Sequence, residues 1–167
     1  MVARDKPRLI VFDVEGVLIP KNRFLFEAGK KLGFIKLINL LFYGFLYEAG
    51  VIKLESALIR AFRELRGVKP EDLMLIFNKI SSTAFLQTLC AQIKMRNCKI
   101  ALISSGVPSD IVKNLAITVG ADYAYGIEVE TKDGRLTGKI GGDVIQPSGK
   151  LKILSQIITL ELSLIHI

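Results

Sequence analysis

The sequence predicts an α/β fold, an open doubly wound parallel sheet interrupted after its first strand by an inserted helical cap. Three observations carry that expectation. Two short, almost wholly apolar runs, Arg8–Val14 and Lys99–Ser104, have the length and Ile/Val content of strands buried on both faces. Each run is followed by a polar cluster with a glycine, Glu15-Gly16 and Ser105-Gly106, where a strand hands over to a loop. Between the two runs the pattern turns helical, punctuated by Gly29, Gly33, Gly50 and the Gly67-Val68-Lys69-Pro70 break.

Taken in order, residues 1–20 form the first strand and its loop, and residues 21–92 form the cap. Within the cap, Leu54, Ala57, Leu58, Ala61, Phe62 and Leu65 recur at spacings of three and four, an amphipathic helix over Lys53–Arg66. Pro70-Glu71-Asp72 has the proline and early acids of a helix start. The apolar run Leu37–Tyr47 falls well short of the about 20 residues that cross a bilayer, and is expected to be a buried cap helix. The core resumes at 93 and continues to 161. After the strand Lys99–Ser104, a helix opens at Ser109-Asp110 and stops near Gly120, and a third strand covers Asp122–Gly126. Ile127–Glu130 and Arg135–Ile140 flank Lys132-Asp133-Gly134, a hairpin turn signal. A last helix begins near Lys150, after the loop Pro147–Gly149.

Composition narrows the function. With 167 residues, half of them apolar, the chain can bury roughly 70% of its unfolded surface in one core. Two cysteines, Cys90 and Cys98, make neither a disulfide framework nor a zinc site, and read as buried thiols of a reducing, cytoplasmic compartment. The single histidine, His166, excludes a His-based triad. The net charge of +7 is scattered rather than clustered, so steering of a small anion or a plain solvated surface is expected, and neither nucleic acid nor a membrane is the expected partner.

Three groups carry chemistry. Asp13 and Glu15 stand two residues apart at a strand's carboxyl end, where open α/β sheets bind ligands; one carboxylate can attack while the other moves protons. Ser104, Ser105 and Gly106 open a loop into a helix, a hydroxyl and free amides of the kind that cradle phosphate. Lys150 sits on the first turn of a helix, against the dipole's preference. Singly, each also reads as solvated acids, an ordinary turn and a surface lysine. In this order, at these strand ends, they converge.

That order resembles the haloacid dehalogenase-like hydrolases, and within them the phosphoserine phosphatase-like branch. D-V-E-G-V-L at Asp13–Leu18 resembles the first motif, D-x-D-G-T-L. L-I-S-S-G-V resembles the second, and Gly149-Lys150 falls where the third-motif lysine belongs. The stretch from Gly120 to Val144 follows the branch's L-D-Y-A-F-A-N-x-L-x-V-x-D-G-K-L-T-G pattern. The resemblance implies a three-layer Rossmann-like sheet and phosphomonoester hydrolysis through an aspartyl-phosphate. Asp13 would be the nucleophile and Glu15 the acid and base. Ser104, Ser105, Gly106 and Lys150 would hold the phosphoryl group, and Mg²⁺ would bind the Asp13 carboxylate and the Glu15 main-chain carbonyl. The substrate would be a small phosphorylated metabolite, with O-phospho-L-serine the named favourite.

Three departures qualify it. Glu15 replaces the usual Asp. The carboxylate that binds the substrate amine in the branch is replaced by Asn22, and the cap arginine aligns with Ala61, leaving Arg60 as the substitute contact. The fourth motif, G-D-G-x-N-D, does not occur after Lys150, so the last core strands are expected to be missing and residues 162–167 to be a non-native tail, and the alternative expectation is a catalytically silent phosphate- or protein-binding relative.

Overall fold

The structure is a computed structural model that describes residues 8–20, 23–81 and 83–163. The elements in chain order are β1 (Arg8–Asp13), α1 (Arg23–Leu32), α2 (Phe34–Glu48), α3 (Leu54–Glu64), α4 (Pro70–Ile80), α5 (Thr83–Met95), β2 (Cys98–Pro108), α6 (Ser109–Val119), β3 (Tyr123–Lys132), β4 (Arg135–Gly141) and α7 (Gly149–Ser163). A single 3₁₀ turn, Asp143–Ile145, precedes α7. The sheet runs β1-β2-β3-β4, with β1 and β3 parallel to β2 and β4 antiparallel to β3. This is the mixed α/β fold with an open sheet that the sequence predicts.

The central strand is β2, where Ile100, Ala101, Leu102 and Ile103 are all buried. Its unbroken apolar run has neighbours on both sides. Before β3 begins, Asp122 completes the ladder: its Oδ2 accepts from the Ile100 amide at 2.8 Å, and its Oδ1 from Lys94 at 2.6 Å. Burial works to raise the Asp122 pKa, but the Lys94 and Ile100 hydrogen bonds and the Lys94 and Lys99 charges outweigh it and hold it below its ordinary value.

Two local expectations change. The third strand and the first hairpin arm are one continuous strand, β3, not two. Gly126, which reads as a strand end, lies inside it because β3 passes under the β2–α6 corner. A Cβ there would come within 2.7 Å of the Val107 carbonyl and 2.8 Å of the Ser109 backbone. The other concerns α2, expected to be buried. Only Leu40 of its residues is buried, and Phe34 and Ile35 are each 76% exposed. The helix touches α1 and α3 along one narrow seam, where Gly29 of α1 leaves room for Leu37 and Leu40.

The second half of the insert divides. α4 packs on α1, whereas α5, inside the stretch read as cap, packs on β2 and α6 of the core. The cap is also held by the hairpin. Gly67 donates to the Leu136 carbonyl and Leu136 to the Val68 carbonyl, both at 2.9 Å. Gly138, at φ 86°, lets β4 lie against α3; a Cβ there would sit 3.1 Å from the Arg63 Cα. Buried Phe24, Leu58, Phe62 and Phe77 of the insert join Ile100, Leu102, Ile153 and Ile157 in one apolar cluster. Each such side chain contributes about 1.5–3 kcal/mol on burial. Among the described residues, no single helix is long and apolar enough to cross a membrane.

Candidate active site

The floor of the site begins where β1 leaves the sheet. In extended backbone, residues two apart face the same side. Val14, between Asp13 and Glu15, therefore points inward and is fully buried. Its amide donates to the Ile103 carbonyl at 3.1 Å, and its own carbonyl accepts from Leu18 and Ile19, each at 3.0 Å. Gly16 takes φ 86° and donates to the Ile19 carbonyl at 2.7 Å. That glycine amide closes the loop upon itself.

The second strand end is a bulge. The β2–β3 register slips between Ile103 and Pro108, and Ser104 anchors the slipped segment. Ser104 is fully buried, and its Oγ accepts from the amides of Gly106 at 3.2 Å and Val107 at 3.1 Å. The hydroxyl expected to hold a phosphoryl oxygen thus lies beneath the site and shapes it. Ser105 and Gly106 line the cavity, with Ser105 donating to the Val144 carbonyl at 3.1 Å. The Glu15 carboxylate lies over Gly106, where any Cβ would overlap it. The glycine therefore has a steric reason that ties the two strand ends together.

Lys150 arrives from the far end of the chain. Gly149 packs so closely on the Asp143 carbonyl that a Cβ would overlap it. The turn is closed by Gln146 donating to the Asp143 carbonyl and Gly149 to the Gln146 carbonyl, each at 3.0 Å. Lys152 adds an ion pair to Asp143 at 2.9 Å. This places Lys150 Nζ 2.5 Å from Asp13 Oδ2, each side chain 42% exposed. A part-buried ion pair between residues so distant in sequence, open to a cavity, is a preorganised charge site.

The cavity above this pair has a volume of about 1350 Å³. Asp13, Glu15, Ser105, Gly106 and Lys150 line its core side. Leu25, Phe26, Leu40, Leu41, Tyr43 and Phe45 supply much of the cap side. Gln146 donates to Glu55 of α3 at 3.3 Å, bridging core and cap. Arg60 is exposed and not among the lining residues. The residues of α3 that face the cavity are Leu54, Ala57, Leu58 and Ala61, a helical stripe that leaves Arg60 to one side. Arg23 and Lys53 are the cations that line it from the cap side, Arg23 paired with Glu27 at 3.3 Å. Nothing in their spacing singles out these two residues. Asn22 lies outside the described residues, as do residues 164–167 of the tail.

The Asp13 carboxylate and the Glu15 main-chain carbonyl are hard oxygen donors of the kind Mg²⁺ takes. The ion ordinarily completes its shell with water and phosphate oxygens, so two protein donors suit it. Among the described residues, no three His, Cys, Asp or Glu side chains converge on one metal position.

No known family profile matches the chain. The phosphoserine phosphatase of Archaeoglobus fulgidus is 34% identical over 154 residues, which cover 92% of this chain and 43% of that protein. That of Methanocaldococcus jannaschii is 27% identical over 159 residues, 93% of this chain and 72% of that one. A substrate-bound phosphoserine phosphatase structure superposes with a TM-score of 0.80 at 24% identity, covering 95% of this chain and 73% of the other. The chain is thus similar to the phosphoserine phosphatase-like branch of the haloacid dehalogenase-like hydrolases. A phospho-aspartyl intermediate analogue of phosphoserine phosphatase shares this fold with the same TM-score of 0.80, at 24% identity over 94% of this chain. The chain spans less than half the length of the Archaeoglobus protein.

Proposed function

We propose that this chain carries the catalytic floor of a Mg²⁺-dependent phosphomonoester hydrolase that works through an aspartyl-phosphate. The carrying observation is Lys150 Nζ at 2.5 Å from Asp13 Oδ2 on the floor of a cavity roofed by the cap. An anionic nucleophile approaching an anionic phosphate needs a cation beside it, and this pair supplies one before any substrate arrives. Asp13 attacks phosphorus as the bond to the leaving oxygen breaks. Glu15 gives that oxygen its proton, then takes one from the water that attacks phosphorus and frees Asp13. Ser105 and Gly106 line the phosphoryl end, and Ser104 fixes the bulge that presents them.

Asp13 and the Glu15 carbonyl would hold Mg²⁺, whose chemistry is to offset charge on the phosphoryl oxygens. The substrate is a small phosphorylated metabolite, and O-phospho-L-serine, named by the relatives, is the reference compound. A cytoplasmic setting is in keeping with Cys90 and Cys98 as buried thiols, burial pushing the Cys90 pKa up against the nearby Lys94 charge. The test is phosphate release by the full-length protein with and without Mg²⁺. Release that needs Mg²⁺ and disappears in Asp13→Asn is expected. Equal release in the variant would sink the reading.

A further inference from the structure

We infer that the alcohol carried by the phosphate is an extended apolar chain, lying along α2 with Gly44 at the floor of its groove. The inference rests on the phosphomonoester reading above and names the leaving group that reading leaves open. Three observations support it.

First, the stripe Leu41, Gly44 and Phe45, at spacings of three and four, faces the cavity that holds Asp13 and Lys150. Leu41 and Phe45 nevertheless stand 52% and 65% exposed. Apolar surface held open to water on a cavity wall is surface that an apolar ligand covers with gain. Second, Gly44 occupies the middle of a helix, where glycine is disfavoured. No close packing explains it, since a Cβ there would meet nothing within 4 Å. Its missing side chain leaves a trough between Leu41 and Phe45. Third, at about 1350 Å³ the cavity exceeds the roughly 300–1,000 Å³ of ordinary small-molecule pockets. A phosphate with a three-carbon amino acid would occupy a small part of it. Two of the cap-side charged groups on its wall have partners within the protein, Arg23 with Glu27 and Glu55 with the Gln146 amide.

The same chemistry can come from solution or from a bilayer, and one experiment separates the two. Binding of inorganic phosphate, methylphosphonate, butylphosphonate and octylphosphonate to the full-length protein is measured by calorimetry in Mg²⁺, alongside Lys150→Ala and Gly44→Leu. Affinity should rise about fourfold per methylene while the groove is being filled. Gly44→Leu should flatten that rise, and far-UV circular dichroism should show its helices intact. Methylphosphonate binding that depends on Lys150 but gains nothing with chain length overturns the inference and leaves the phosphatase reading standing. Loss of any Lys150-dependent binding, inorganic phosphate included, overturns both. Co-sedimentation with phosphatidylcholine vesicles carrying phosphatidic acid assigns the bilayer source. Octylphosphonate binding without co-sedimentation assigns the soluble one.

Discussion

The two walls of the cavity are built in opposite ways. On the core side, the loops that carry the chemical groups are held by backbone hydrogen bonds and by glycines that nothing larger can replace. Gly106 lies under the Glu15 carboxylate, Gly149 against the Asp143 carbonyl and Gly126 under the β2–α6 corner. On the cap side, α2 has one buried residue and a glycine with open space around it. Chemistry needs fixed geometry, since small displacements of a nucleophile cost large factors in rate. A wall that only covers a leaving group needs shape and polarity, and it tolerates change.

The predictions probe that contrast, beginning with the floor. Asp13→Asn in the full-length protein should lower turnover by at least about a thousandfold, because no other group can form the covalent intermediate. Lys150→Ala should cost about 10²–10³-fold, the usual loss when one preorganised charge partner is removed. Steady-state phosphate release reads both, and a loss below tenfold in either would mean the floor is assigned wrongly.

Two stability effects follow. Gly149→Ala should destabilise by about 1–3 kcal/mol in urea unfolding, since its methyl must displace the Asp143 carbonyl. Asp122→Ala should cost a similar about 1–3 kcal/mol by leaving the Ile100 amide unpaired. Asp122 also sets a pH dependence. Its folded pKa lies below the unfolded value, so its contribution is full above the unfolded pKa. The contribution is lost as pH falls through the folded one. Acid titration of stability should therefore be shallower in the Asp122→Ala variant, and an unchanged slope would contradict the assignment.

The smallest effect belongs to the cap. Gly44→Ala should stabilise by up to about 1 kcal/mol, because its Cβ enters open space and alanine favours helix. A destabilising result would mean the cap wall is packed as tightly as the floor, and the contrast would fail.

The core was more legible in the sequence than the cap for the same physical reason. Buried strands and their polar ends leave dense local patterns: Arg8–Val14 and Lys99–Ser104 read as strands, and Asp13, Glu15 and Lys150 meet in one cavity. What the residues could not convey is which partner each polar group takes. Ser104 and Ser105 look equivalent in the sequence, yet a register slip between Ile103 and Pro108 buries the first and turns the second to the cavity wall. Gly126 reads as a break because its close approach involves backbone from another strand. Arg60 was placed by its nearness to Ala61 along the chain, whereas helical geometry gives the cavity to Ala57, Leu58 and Ala61. The exposed side of α2 could not be foreseen, since an apolar run does not state what covers it.

The most direct test of the floor is to catch the covalent step. The full-length Glu15→Gln variant, given phosphomonoester and Mg²⁺ and then quenched in acid, should carry one phosphoryl group on the peptide containing Asp13. Without Glu15 to activate water, that adduct should accumulate above the level in the unaltered protein, and Asp13→Asn should show none. An adduct on another residue, or turnover that persists in Asp13→Asn, would contradict the account.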